Sequence, residues 1–176
     1  FSIIKYRIKI VENNIKKSFP NLNEQHKIKI LNKFYSFFFD LIFEIIKSIS
    51  LTEKAIIKNV KIINPSIINE TKKQNKSIIL LGSHYSNWEW LFLRISVMKD
   101  IQPYAIYKPL SNKYINDIIL TIRTKFGGQL ISIDKWKQFL LKKTEKSHVF
   151  MFISDQVPQK KQNWRGHHNQ ETASVM

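Results

Sequence analysis

Residues 77–90, SIILLGSHYSNWEW, decide the fold. The apolar run Ile78 to Leu81 has the length of a buried strand, Gly82 ends it, and from Asn87 the stretch NWEWLFLRISVM turns helical. The theme repeats downstream. IQPYAIYKP (101–109) reads as a strand and NKYINDIILTIRTKFGG (112–128) as a helix closed by glycines. GQLISI (128–133) is a further strand, DKWKQFLLKKTEK (134–146) a helix, and HVFMFISDQ (148–156) another buried strand. Strands alternating with helices across short loops predict an α/β fold, a mostly parallel central sheet flanked by helices. Such sheets carry their functional residues beyond the carboxyl ends of the strands. His84, Lys108 and Asp155 all fall there.

Upstream the pattern is helical, which divides the chain into an N-terminal helical segment, 1–60, and an α/β domain, 61–176. Ile8, Val11 and Ile15 are spaced for one helix face, and Pro20 closes that segment. A cap region at 21–24 then leads into the long helical stretch EQHKIKILNKFYSFFFDLIFEIIKSI. Asp40 and Glu44, four apart, share one face of it, while Phe37, Phe38, Leu41, Ile42, Ile45 and Ile46 occupy much of the rest. Two readings fit: a scaffold helix with one polar stripe, or an aromatic face against lipid, with Lys16, Lys17, Lys27 and Lys29 near anionic head groups.

Charge limits the partners. Twenty-nine Lys plus Arg against 13 Asp plus Glu give a net charge of +16 and a pI near 10.0, a field that attracts polyanions. An anionic bilayer fits this better than nucleic acid, which would leave His84 behind a buried strand without an explanation. The abundance of Lys beside Ile and Asn also matches an AT-rich coding sequence. There is no cysteine, which excludes disulfides, thiolate metal sites and a Cys nucleophile. No run of about 18 uncharged apolar residues suggests a transmembrane helix. The chain begins at Phe1 rather than Met and reads as a piece of something longer, so an anchor could precede it.

GSHYSNWEW carries the chemistry. With His84 in the turn and Glu89 in the first turn of the helix, the carboxylate can take the imidazole N–H and leave the other ring nitrogen to accept a proton. A satisfied histidine beside an ordinary first-turn glutamate gives the same H-x4-E spacing. Trp88 and Trp90, two apart on a helix, point different ways, so one belongs to the core. No ligand spacing suggests a metal, and the adjacent pair His167 and His168 does not supply one.

The same block resembles the H-x-x-N-W-E form of the late acyltransferases of lipid A biosynthesis, the bacterial lauroyl and myristoyl transferase family. Three further blocks follow that family in order: YRIKIVENNIKKSFPNLNEQHKIKI (6–30), IYKPLSNKYINDIILTIRTKFG (106–127) and SDQVPQKKQNWRGHHNQETA (154–173). The resemblance implies a glycerolipid-acyltransferase-like fold and transfer of a fatty acyl chain from acyl carrier protein to a hydroxyl of a lipid A precursor. That reaction belongs at the cytoplasmic face of the inner membrane, with no cofactor, no metal and no covalent intermediate. It implies His84 as general base and Glu89 as its supporting partner, with Lys108, Asn112, Arg123, Asp155 and Gln156 around the substrates. Lys108 departs from the family, which has Arg there; a point charge replaces a bidentate fork. Family members continue past the end of this chain, which implies that late strands and helices are absent from it. The pair of residues does not identify the acceptor, so a phospholipid, an amino-acid-linked lipid or a glycolipid is the alternative.

Overall fold

The computed structural model describes residues 7–74, 76–99, 101–140 and 147–155. The chain divides into two compact units, which among the described residues are 7–43 and 44–155. In the first, α1 (Ile8–Ser18) buries Ile15 and ends with Lys16 and Lys17, where the negative end of the helix dipole favours cations. α2 (Glu24–Lys47), whose last turn from Glu44 on belongs to the second unit, starts behind Asn23, whose Oδ1 accepts the His26 N–H at 2.9 Å. Its rings then form ladders at helical spacing. Phe34 stacks on Phe38 with centroids 6.2 Å apart, and Tyr35 follows Phe39 at 6.3 Å. Tyr35 and Leu41 are buried, whereas Phe37 and Phe43 are exposed. No described helix is long and apolar enough to cross a membrane.

After the last turn of α2 the second unit continues with two helices that the sequence reading did not anticipate, α3 (Glu53–Asn59) and α4 (Pro65–Lys73). Both are too short for an apolar period to stand out. Their start signals are nevertheless ordinary. Thr52 Oγ1 accepts the Ala55 N–H at 3.2 Å, and Pro65 takes the first helical position.

Four strands follow, β1 (Ile78–Gly82), β2 (Gln102–Tyr107), β3 (Gln129–Ser132) and β4 (His148–Ile153), all parallel, in the order β1-β4-β2-β3. Helices α5 (Trp88–Ser96), α6 (Lys113–Thr124) and α7 (Trp136–Leu140) connect them. On one face of the sheet Phe92 and Ile95 of α5 meet Ala105, Val149 and Met151. On the other, Tyr104 stacks on Phe150 at 5.2 Å, while Phe139 approaches Tyr104 and Trp136 meets Phe152 edge-on. Both faces thus carry helices, as an apolar parallel sheet requires. A separate core of Leu51, Ile56, Trp90, Leu93 and Ile122 ties α3, α5 and α6 together.

β3 starts very close to α5. A Cβ added to Gly128 would lie 2.6 Å from Ser96 Oγ and 2.8 Å from two ring carbons of Phe92, so only glycine fits. Gly128→Ala should therefore destabilise the protein by about 1–3 kcal/mol, the usual effect of overpacking. A urea titration followed by circular dichroism checks this; an unchanged midpoint would show that the helix yields freely.

Candidate active site

β1 ends at Gly82 and the chain turns through 83–87 before α5 begins. Asn87 closes that turn as the N-cap of α5, its Oδ1 accepting the Trp90 N–H at 2.9 Å. Its Nδ2 donates the other way, to Glu44 Oε2 at 2.7 Å. Trp90 reaches the same part of α2: its indole N–H is shared between Ser48 Oγ at 2.8 Å and the Glu44 carbonyl at 3.2 Å. Ser86 adopts φ 57°, a left-handed conformation that costs a residue with a side chain about 1–2 kcal/mol.

Pairing of β1 with β4 brings Asp155 opposite the turn. Gly82 lies against Ile153, and the Ser154 N–H donates to the Gly82 carbonyl at 3.0 Å. Asp155 then holds His84 twice: Oδ2 accepts the His84 backbone N–H at 2.9 Å and Oδ1 lies 2.8 Å from ring Nδ1. A carboxylate only accepts, so Nδ1 carries a proton, and in the neutral ring Nε2 is the nitrogen with the lone pair. Trp88 stands edge-on to the ring, centroids 4.7 Å apart. Burial pushes the Asp155 carboxyl up, but hydrogen bonds from the His84 backbone and ring and from its own N–H outweigh this and hold its pKa below the ordinary carboxylate value.

Glu89 is placed differently from the sequence expectation. The carboxylate at the imidazole N–H is that of Asp155; Glu89 is buried, 5% exposed, and turned toward α6. There Arg123 grips it with two donors, Nε to Oε2 at 2.8 Å and Nη2 to Oε1. The reason lies in the helix ends. Glu89 sits in the first turn of α5 and Arg123 in the last turn of α6, each at the dipole end that suits its charge, and a planar guanidinium matches a carboxylate bidentately.

Of the other expected site residues, Lys108 is exposed just beyond β2. Asn112 serves as N-cap of α6, accepting the Ile115 N–H at 3.1 Å. Gln156, His167 and His168 lie outside the described residues. Trp90 is the core tryptophan of its pair and Trp88 the half-buried one. The structure adds Asn87 and Glu44, which sequence reasoning passed over. An Asn three residues before Trp90 at a helix start is a cap signal, whereas the Glu44 contact spans too many residues to be read from spacing. A cleft of about 610 Å³ opens alongside the turn, lined by Lys61, Ser83, Tyr85, Ser86 and Trp88 among others.

The arrangement is an imidazole held by a carboxylate beyond the carboxyl end of a parallel strand, and the helix that follows carries a buried carboxylate–guanidinium pair in its first turn. No curated protein matches the chain. The family model of the bacterial lipid A biosynthesis acyltransferases matches residues 1–165. With His84 and Glu89 inside the matched region on a parallel α/β scaffold, the chain belongs to the bacterial lipid A biosynthesis acyltransferase family.

Proposed function

We propose that this protein transfers a fatty acyl chain from acyl carrier protein to a hydroxyl of a lipid A precursor, with His84 as general base. The observation that carries the reading is Asp155 bonded to Nδ1 of His84, which leaves Nε2 as the basic nitrogen. The hydroxyl oxygen attacks the thioester carbonyl while Nε2 takes its proton. As the tetrahedral intermediate collapses, the carbon–sulfur bond breaks and the imidazolium returns the proton to the departing thiolate. Asp155 steadies the imidazolium between these steps. Arg123, fixed by Glu89, offers its remaining N–H groups to the developing oxyanion or to a substrate phosphate. Lys108 adds positive charge for the acceptor phosphates.

The exposed Phe37 and Phe43 on α2, with Lys16, Lys17 and Lys29 exposed in the same unit, support peripheral binding to the cytoplasmic face of the inner membrane. Mass spectrometry of lipids from cells lacking the full-length gene tests the acceptor. Loss of one secondary acyl chain from lipid A is expected. Unchanged lipid A together with an altered phospholipid, amino-acid-linked lipid or glycolipid would overturn the assignment.

A further inference from the structure

We infer that Glu44 is a positioning residue for the catalytic turn, acting through Asn87; the inference rests on His84 as the reacting base. The turn 83–87 needs holding because Ser86 sits in the left-handed region, a conformation that persists only where its surroundings determine it. Asp155 fixes the early part of the turn by its two bonds to His84. At the far end Asn87 is used on both sides of its amide. Oδ1 caps α5 and Nδ2 donates to Glu44 Oε2 at 2.7 Å, a charge-assisted bond across 43 residues of sequence. The indole of Trp90, on Ser48 and the Glu44 carbonyl, sets the rest of α5 against the same end of α2. The cap oxygen alone orients the helix start. The bond to Glu44 is what prevents the Asn87 amide, and the turn before it, from rotating about the helix axis. Glu44 is half-buried, so this bond competes with water less than a surface contact does.

Polarity makes the brace testable without removing the cap. Asp caps a helix as well as Asn does. Asn87→Asp therefore keeps the α5 start but replaces the donor with a carboxylate facing Glu44. Turnover by the full-length protein is expected to fall about 10- to 100-fold, the scale of a misplaced catalytic group. Glu44→Gln keeps an acceptor for Asn87 and should retain most turnover, whereas Glu44→Ala should lose it as Asn87→Asp does. The deciding variant is Glu44→Gln combined with Asn87→Asp. There the amide donates and the carboxylate accepts, so the bond is restored with its direction reversed and turnover recovers. The His84 ring resonances, followed by NMR in the same proteins, should shift in Asn87→Asp and Glu44→Ala and return in the double variant. A double variant as slow as Asn87→Asp, or Glu44→Ala with wild-type turnover and His84 signals, would overturn the inference. If the wild-type protein transfers no acyl chain, the reading of the reaction fails, and the His84 resonances still decide the brace.

Discussion

Turnover by the full-length protein should fall by about 10²–10⁴ on His84→Ala, the range for loss of a positioned proton-transfer group. A sugar or lipid hydroxyl is a poor nucleophile until its proton leaves, and Nε2 is the nitrogen that the Asp155 contact keeps free to take it. Asp155→Asn should approach the same loss. The carboxylate accepts two N–H groups of His84, from the backbone and from the ring, and an amide offers only one acceptor oxygen for both. If the two residues form one unit, the double substitution is no worse than His84→Ala alone. The assay uses saturating acyl carrier protein thioester and lipid acceptor, with circular dichroism confirming each fold; near-normal turnover of His84→Ala would end the mechanism. Asp155 also couples folding to pH with a definite sign. Its pKa in the folded protein lies below the ordinary 3.8, so its stabilising contribution is complete above that value and disappears as pH falls through the lower one. Asp155→Asn should lack this acid-side loss of stability.

The parallel sheet was legible because its strands are short runs and the first three, from Ile78–Gly82 to Gln129–Ser132, are each followed by a helical stretch. Strand order was not. Nothing in HVFMFI says that it inserts between β1 and β2, since main-chain pairing leaves no mark on spacing. That insertion is what brings Asp155 to His84. His84, Arg123 and Asp155 could thus be picked out one by one, as residues at strand or helix ends, while their partners could not. The expectation that Glu89 holds the imidazole put His84 in the turn and Glu89 in the first turn of the helix, and both lie there. In the fold, a partner 71 positions away takes that place, and Glu89 turns to one 34 positions away. Helices α3 and α4 escaped for a different reason, being too short for periodicity and recognisable only by Thr52 and Pro65 at their starts.

The Glu89–Arg123 pair should show opposite outcomes for folding and for chemistry. Arg123→Ala strands a carboxylate whose side chain is 6% exposed, and removing one partner of such a buried pair costs about 3–5 kcal/mol. Glu89→Ala should cost less, because the Arg123 side chain, 20% exposed, can turn its charge toward water. Replacing both together, Glu89→Leu with Arg123→Met, removes the desolvated charges and leaves apolar groups beside the core of Trp90, Leu93 and Ile122. Stability should then recover most of the loss, since buried ion pairs are often replaceable by packed hydrophobic residues without penalty. Turnover should not recover. A guanidinium kept only to neutralise Glu89 would be dispensable once Glu89 is gone, whereas one that stabilises charge in the transition state cannot be replaced by Met. Arg123→Lys separates the two further: one ammonium cannot make both bonds to Glu89, so part of the stability and most of the orientation are lost while the charge remains. Urea midpoints and turnover measured on the same four proteins decide the matter. Wild-type turnover in the Leu–Met pair would reduce Glu89 and Arg123 to scaffold and leave the chemistry to His84 and Asp155.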